Sequence, residues 1–271
     1  MNDDANIHLL GLGGNTLYML PSVTGGQSLG VVIQNDIEQV FVIDGGFKED
    51  AIQIEQMVCS LSSKKSVTAW FITHGHKDHI DAVTEVIRRR QLSIGALYYD
   101  IPDEDYLVND SQDKSTREAF YSAVGAAGIN VITPKVGERH EFGSAAFKVL
   151  KTPDTSVVKN ACNNSSVIYK MITKEKSVLF LADLGEEGGD ALLQSHYREI
   201  TSDIVQMAHH GQGGVKESLY RAISPKYALW PTPDWLWENR QPYWRTLEVR
   251  GWMEALGVIN FITKDGMIII R

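Results

Sequence analysis

The chain has 271 residues, 43% of them hydrophobic, and a formal net charge of −8 at pH 7. This length and hydrophobic content allow a large buried core, and we expect a single domain over residues 1–271. An acidic surface repels polyanions unless bound cations reverse the field locally, so long nucleic acid is disfavoured as a partner and a small-molecule substrate is favoured.

The sequence carries no sign of membrane insertion or secretion. No apolar run reaches the roughly 18 residues of a membrane span, and the first residues are acidic where a secretory signal would be basic. Two cysteines, Cys59 and Cys162, are too few for a disulfide framework and lie in no zinc-binding spacing. We therefore expect a cytoplasmic location and no membrane contact. The oligomeric state is left open by the sequence.

The first half of the chain has the pattern of a strand meander followed by alternating helices and strands. The meander is predicted in NTLYML, SLGVVIQN and QVFVIDGG, with a hairpin turn at NDIE. Helical spacing of apolar residues predicts a helix near residues 49–63, which the strand VTAWFI follows. A second helix is predicted from about Asp78 to the arginines at 88–90, where the helix dipole favours cations, and GALYYD is the next strand.

The second half adds another series of strands. Ser115 and Glu118 form a capping pattern for a helix within SQDKSTREAFYSAVGAAG, which Gly128 can end. Strands are predicted in INVIT, AFKVLK, SSVIYKMI, SVLFLAD and DIVQMAHH, helices in KESLYRAI and YWRTLEVRGWMEALG, and closing strands in INFI and MIII. This order predicts an α/β fold, an αββα sandwich of two mixed sheets flanked by helices.

The segment THGHKDHIDA is rich in side chains that can bind metal ions. It follows an apolar strand directly, and its three histidines and two aspartates exceed what a single tetrahedral ion can bind. A pair of neighbouring metal ions is therefore indicated, and a further acidic ligand is needed to bridge them. Asp183 at the end of SVLFLAD and the pair His209 and His210 at the end of DIVQMAHH are the candidates for the remaining ligands.

The other histidines have ordinary surroundings. His8 lies near the N-terminus, His140 in the charged turn GERHEF, and His196 on a polar helix face. A lone histidine in such a place is usually a hydrogen-bonded structural residue, and we expect no metal at any of the three.

These motifs resemble a known family. THGHKDHIDA is similar to the HxHxDH signature of the metallo-β-lactamase superfamily, and VFVIDGG to the strand that precedes it. NNSSVIYKM, VLFLADLGEE, VQMAHHGQGG, SPKYALWP and TKDGMIII occur in the order found in ComEC-like hydrolases. The resemblance implies an αββα fold and a hydrolase that uses one or two divalent metals.

The resemblance also implies a role for each matching residue. The first metal would be held by His74 and His76 and the second by Asp78 and His79, with Asp183 bridging them. His210 is favoured as the ligand that closes the second site, with His209 in the pocket. Asp44 would orient one of the ligand imidazoles from behind.

Two departures from the family pattern leave questions open. TPDTSVVKNACNN lacks the histidine that many members give to the first metal, so Asp154 is the nearest substitute and Asn163 and Asn164 are weaker oxygen ligands. Oxygen ligands would shift the preference from zinc toward manganese or iron. NRQPYWRTL stands where the subgroup often has a histidine-proline pair, in a region rich in aromatic residues: Trp230, Trp235, Trp237, Tyr243 and Trp244. These side chains are either core packing or the wall of a pocket for a small ligand.

The expected reaction is attack of a metal-bound hydroxide on a small phosphodiester. Asp78 or Asp183 would orient the hydroxide, and His209 would hold or protonate the leaving group. A lactone or thioester hydrolase of the same superfamily is the first alternative, since it needs the same hydroxide. A non-catalytic metal- or ligand-binding protein on this fold is the second, and the missing histidine is the feature that favours it.

Overall fold

Two β-sheets packed face to face form the centre of the molecule, which we describe from a computed structural model for residues 6–108, 113–241 and 243–271. Ser111 and Gln112, at the start of one predicted helical segment, and the acidic residues before Asn6 lie outside the described residues. The strands, numbered along the chain, are β1 (Asn6–His8), β2 (Thr16–Met19), β3 (Gly30–Gln34), β4 (Val40–Asp44), β5 (Ser66–Val67), β6 (Ala69–Phe71), β7 (Ser93–Ile94), β8 (Leu97–Tyr98), β9 (Val131–Ile132), β10 (Arg139–Phe142), β11 (Ala145–Lys151), β12 (Ile168–Thr173), β13 (Ser177–Phe180), β14 (Ile204–Gln206), β15 (Tyr227–Trp230), β16 (Ile259–Ile262) and β17 (Ile268–Ile270).

The helices connect these strands and cover the outer faces of the sheets. They are α1 (Ala51–Leu61), α2 (Lys77–Arg89), α3 (Lys114–Ala127), α4 (Ala161–Asn164), α5 (Glu186–His196), α6 (Glu217–Ile223), α7 (Asp234–Trp237) and α8 (Thr246–Ala255). None of those described is long and apolar enough to cross a membrane.

Strand order shows how the two halves of the chain divide between the sheets. Within the described residues, the first sheet runs β1-β17-β2-β3-β4-β6-β8-β9 and the second runs β10-β11-β12-β13-β14-β15-β16. Each mixes parallel and antiparallel pairs: β4, β6 and β8 are parallel, as are β13 to β16, whereas β2, β3 and β4 are antiparallel. β17 is the exception to the division, because it inserts between β1 and β2 of the first sheet.

Three apolar layers stabilise this arrangement. Side chains from both sheets interdigitate between them, whereas the outer face of the first sheet packs against α1, α2 and α3 and that of the second against α5, α6 and α8. β4 is covered on both faces and buried along its whole length, which is why VFVID is apolar up to its last residue, Asp44. The predicted αββα sandwich is confirmed.

Some element boundaries differ from the sequence prediction. The helix expected near residues 49–63 is α1, preceded by a 3₁₀ turn at Lys48–Asp50, and VTAWFI divides into β5 and β6 because β5 pairs with β7 outside the main sheets. Ser115 does not cap α3, which starts after Asp113, although Gly128 ends it in the left-handed conformation as expected. GERHEF is not a turn: Arg139–Phe142 form the edge strand β10, whose polar residues suit its half-exposed position.

Phe71 in β6 tests how much the layer between the sheets contributes to stability. Its ring is fully buried and lies 4.5 Å from the ring of Phe147 and 5.1 Å from that of Tyr169, both on the opposite sheet. Phe71→Ala should lower the free energy of unfolding by about 3–5 kcal/mol, because a cavity is left between two rigid sheets. Urea unfolding measures this, with the half-exposed Val136→Ala as control. A loss below about 1 kcal/mol would show that the sheets are not packed together here.

Candidate metal centre

The HxHxDH segment runs from the end of β6 into α2. His76 precedes the helix in extended conformation, and its carbonyl accepts hydrogen bonds from the backbone N–H groups of His79 and Ile80, which directs Asp78 and His79 toward the same edge as the loop histidines. Gly75 is needed because a Cβ there would lie 2.7 Å from Cδ of the buried Arg117. The bend at residue 75 that brings these side chains together therefore depends on the close approach of the Gly75 backbone to the Arg117 side chain.

Asp44, the last residue of β4, holds this segment from behind. One carboxylate oxygen accepts the backbone N–H of Thr73 at 2.8 Å, and the other accepts the Thr73 hydroxyl and His79 Nδ1, both at 2.7 Å. The Thr73 hydroxyl, having donated to Asp44, accepts Nδ1–H of His74 at 3.1 Å. Asp44 thus orients one ligand ring directly and another through Thr73, and it leaves Nε2 of both free of a proton when the rings are neutral.

Asp183 and the histidine pair come from the second sheet. Ala182 precedes Asp183 with φ +49°, and its carbonyl accepts the backbone N–H of His209 at 2.8 Å. The sequence predicted a strand over DIVQMAHH, but His209 and His210 do not belong to it. They lie in a 3₁₀ turn after β14, with φ +49° and +52°. This conformation is uncommon for residues other than glycine, and here it turns the two rings in different directions.

The two sheets bring the predicted ligands together in two groups that share Asp183. His74, His76 and Asp183 form one, and Asp78, His79, Asp183 and His210 form the other, with the ligand atoms of each group within 4.8 Å of one another. His210 Nε2 lies 3.2 Å from an oxygen of Asp78 and 3.2 Å from Asp183 Oδ2, and His79 Nε2 lies 3.4 Å from Asp183 Oδ1. Asp183 is therefore the described residue that both groups share.

Several of these atoms are buried without a well-aligned hydrogen bond, although some lie 3.2–3.4 Å from one another. They are His76 Nε2, His79 Nε2, Asp183 Oδ1 and both ring nitrogens of His210. An unpaired buried polar atom costs about 1–3 kcal/mol, so a cluster of them facing one another needs a compensating partner. Imidazole nitrogens and carboxylate oxygens are ligands of zinc, manganese and iron, and the donor set fits one or two divalent cations.

The charges inside the cluster perturb each other strongly. Burial alone disfavours a charged His79 ring, but Asp183 and Asp44 outweigh it and hold its pKa well above the usual value. Burial also opposes a charged His210, yet Asp183 and Asp78 raise its pKa to about 9. Burial raises the pKa of Asp183, but the neighbouring charges of His210 and His79 hold it well below its usual range. Positive charge beside the carboxylates of Asp44, Asp78 and Asp183 is thus stabilising, and protons or metal cations can provide it.

A cavity of about 400 Å³ opens onto the cluster. His76, Asp78, Asp183 and the partly exposed His209 reach its floor, and His209 Nε2 is 3.8 Å from Asp183 Oδ2. The sequence did not single out five further lining residues: Gln27, Phe47, Lys77, Asp113 and Asn160. Of these only Lys77, inside the motif, carried a recognisable signal, because the others come from loops that are distant in sequence.

The three substitutes for the missing histidine lie in different places. Asp154 is exposed, belongs to neither ligand group, and accepts hydrogen bonds from the backbone and hydroxyl of Ser156. Asn164 is buried and engaged: its amide donates to the Lys159 carbonyl and to Glu187, and its oxygen accepts from Gly188. Asn163 lines the cavity, and its buried Oδ1 has no hydrogen-bond partner. Only Asn163 is thus placed beside the ligand groups.

The aromatic residues near the C-terminus do not line this cavity in the part of the chain that the structure describes. Trp230 is core, with its ring edge-on to that of Trp237 at 5.2 Å. The ring of Trp235 is tilted by 47° against that of Trp244, with the ring centres 4.7 Å apart. Trp235 donates its indole N–H to the Gly25 carbonyl and lines a separate cavity of about 290 Å³. The region therefore contacts the loop that carries Gln27, through the hydrogen bond from Trp235 to Gly25.

Fold and site together define an αββα protein with two ligand groups joined by one aspartate at the edge of both sheets. The model of the metallo-beta-lactamase superfamily matches residues 23–229, more than half of the sequence. The chain belongs to this superfamily.

Solved structures share this fold at low sequence identity. YhfI, a metallo-beta-lactamase fold protein from Bacillus subtilis, is 12% identical at a TM-score of 0.58, over 93% of this chain and 98% of YhfI. Zn²⁺-bound PqqB from Methylobacterium extorquens is 10% identical at 0.52, over 91% of this chain and 97% of PqqB. CmlA, a diiron beta-hydroxylase from Streptomyces venezuelae, is 13% identical at 0.54, over 91% of this chain but 52% of CmlA, so this chain spans about half its length. The search of curated proteins gave no match.

Metal content tests the two groups separately. The purified chain should hold about two divalent ions, His76→Ala about one, and Asp183→Asn fewer than one, because only Asp183 serves both groups. Elemental analysis after dialysis against trace metal measures the stoichiometry. His140→Ala is the matched control, since His140 lies on β10, outside both groups. Equal metal content in Asp183→Asn and the unmodified chain would contradict the shared ligand.

The role of Asp44 can be tested by Asp44→Asn. An amide in its place turns an N–H toward Nδ1 of His79 or loses a Thr73 bond, so metal affinity should fall about 10–100-fold. Titration with a competing chelator measures the affinity. Asp203→Asn is the control: Asp203 also joins two strands, through Ser177, but belongs to neither ligand group. An unchanged affinity in Asp44→Asn would show that the ring orientation is set by other contacts.

Proposed function

We propose that the chain is a metal-dependent hydrolase of a small phosphodiester, from the ComEC-like branch of its superfamily, that acts in the cytoplasm. The observation that supports this proposal most directly is the position of Asp183, which belongs to both ligand groups and lines an open cavity. A centre built only to stabilise the fold would be closed to solvent, whereas this one has a cavity of about 400 Å³ in front of it.

The reaction needs a nucleophile, charge stabilisation and a proton for the leaving group. When bound, a pair of divalent cations supplies a deprotonated water near neutral pH and positive charge for the developing phosphoryl oxygens. The carboxylates of Asp78 and Asp183, both at the cavity floor, accept hydrogen bonds from the attacking water and orient it. His209, with its ring in the cavity, would hold the leaving oxygen or protonate it with a proton first taken from the attacking water, because burial lowers the pKa of the free ring.

The cavity lining supports a compact, singly charged ester. Lys77 contributes one positive side chain, whereas Asp113 contributes a negative one, and Gln27 and Asn160 offer neutral amides. A polyanion would meet Asp113 and the acidic surface, but a phosphodiester carries a single charge that the metals and Lys77 balance. The lining therefore favours a small phosphodiester over long nucleic acid.

Asn163 supports a preference for a harder metal at the first group. His74, His76 and Asp183 would provide three protein ligands there, and we propose the unpartnered Oδ1 of Asn163, which lines the same cavity, as the fourth. An amide oxygen in place of an imidazole weakens the hold on zinc and favours manganese or iron. We propose manganese or iron as the activating metal.

One observation favours a different substrate. Phe47 gives the cavity an apolar wall, which suits the acyl part of a lactone or a thioester. Such esters require the same nucleophile and the same proton donor, so lactone or thioester hydrolysis is the alternative activity.

Hydrolysis of bis-p-nitrophenyl phosphate tests the proposal. Metal-stripped protein should gain activity on addition of manganese or iron and less on addition of zinc, and His76→Ala should lose about 100-fold or more because the first group is broken. His140→Ala should behave as the unmodified chain. His209→Ala should reduce turnover of esters with poor leaving groups more than that of p-nitrophenyl esters, because only the former need the proton.

The outcomes separate the readings. Metal-dependent hydrolysis of a thiolactone or thioester without phosphodiester turnover would replace the substrate and keep the mechanism. Two tightly bound ions with no turnover of any ester would favour a ligand-binding protein, and no bound ion would overturn a metal-dependent activity altogether.

A further inference from the structure

Gln206 is a fully buried polar residue that neither ligand group contains. It is the last residue of β14, paired with Phe180 of β13 on one side and Leu229 of β15 on the other. Its side chain continues beyond the end of the sheet toward the loop of Asp183. A buried amide is costly unless each of its polar atoms is bonded, so its hydrogen bonds reveal what it holds.

All three hydrogen bonds of the Gln206 side chain go to backbone atoms of the metal loops. Oε1 accepts the N–H of Ala182 at 2.7 Å, and Nε2 donates to the carbonyls of Met207 at 2.6 Å and Ala182 at 3.3 Å. Ala182 is the residue before Asp183, and Met207 is two residues before His209. One side chain thus ties the loop of the shared aspartate to the turn of the histidine pair.

The loops that it joins are conformationally unfavourable by themselves. Ala182, His209 and His210 all have positive φ, between +49° and +52°, which residues with a Cβ rarely adopt. Such conformations persist only where surrounding contacts determine them. At Ala182, the backbone N–H donates to Gln206 Oε1, and the carbonyl accepts from Gln206 Nε2 and from the N–H of His209.

We propose that Gln206 is a positioning residue that fixes Asp183 relative to His210 before metal binds. It touches neither metal nor substrate, and it acts by holding the Ala182 peptide. The second ligand group depends on it most, because Asp183 Oδ2 and His210 Nε2 are 3.2 Å apart and come from the two loops that it joins. The metal-binding part of this inference stands without the proposed hydrolysis, whereas its kinetic part rests on the proposed function.

Gln206→Met tests the inference, because methionine keeps the length of the side chain and removes all three hydrogen bonds. The control is Gln34→Met: Gln34 also ends a strand and donates to a backbone carbonyl, that of Leu61, but it lies at the end of β3 opposite to Gly30, which pairs with Asp44. Manganese(II) chloride is the probe, titrated into metal-stripped protein and followed by electron paramagnetic resonance.

The expected result separates positioning from simple loss of stability. Gln206→Met should weaken manganese binding at least 10-fold and diminish the signal of two coupled ions, whereas Gln34→Met should bind as the unmodified chain does even if it melts earlier. In the hydrolysis assay, kcat should fall at least 10-fold in Gln206→Met with KM changed less than 3-fold. Manganese affinity and coupling within 2-fold of the unmodified chain would overturn the inference.

A second variant covers the case in which Gln206→Met does not fold. Glycine adopts positive φ without strain, so Gln206→Met combined with Ala182→Gly should recover folding. The three Gln206 hydrogen bonds stay absent in this variant, and among the described residues only the backbone hydrogen bond from the His209 N–H to the carbonyl of residue 182 joins the loops. Its manganese affinity should remain at least 10-fold weak, and a return to the affinity of the unmodified chain would overturn the inference. If the unmodified chain itself bound no manganese, the proposed function would fail as well, whereas binding without hydrolysis would leave the positioning role intact.

Discussion

The carboxylate of Asp44 is the contact on which the candidate site depends. This carboxylate is fully buried and accepts three hydrogen bonds from Thr73 and His79. The backbone carbonyl of Asp44 accepts the indole N–H of Trp70 from the helix-covered side of the sheet. A buried negative charge is tolerated only with such partners. The same bonds that satisfy it set the angle of two imidazole rings, so fold stability and ligand geometry cannot be separated at this position.

The second constraint is that the ligands come from both sheets. The first sheet supplies the HxHxDH segment, and the second supplies Asp183 and His210 from the ends of adjacent parallel strands. Charges of opposite sign meet where the sheet edges converge, and the orphaned nitrogens and oxygens show that their protein partners alone do not satisfy them. A cation held by Asp78 and Asp183 would compensate two acids from different sheets.

The sequence predicted the fold class and the grouping of the HxHxDH side chains because those features are local. Apolar periodicity marks strands and helices, and HxHxDH is contiguous, so its members share a loop in any fold. The parts that failed or were missed depend on tertiary contacts. GERHEF is polar, but its last four residues pair as an edge strand. His209 and His210 lie in a turn whose backbone is hydrogen-bonded to Ala182. The separate positions of Asp154 and Asn163 and the hydrogen bonds of Gln206 do not follow from spacing along the chain.

The insertion of β17 between β1 and β2 has a kinetic consequence. Because β17 pairs with both β1 and β2, which lie about 250 residues earlier, the first sheet cannot be completed until residues 268–270 have been synthesised. Contacts of such sequence separation form slowly, and meanwhile the edge of β2 is open to pairing with other chains. The helix-covered middle of the sheet can therefore form before β17 has been synthesised, and its closure has to wait for that strand.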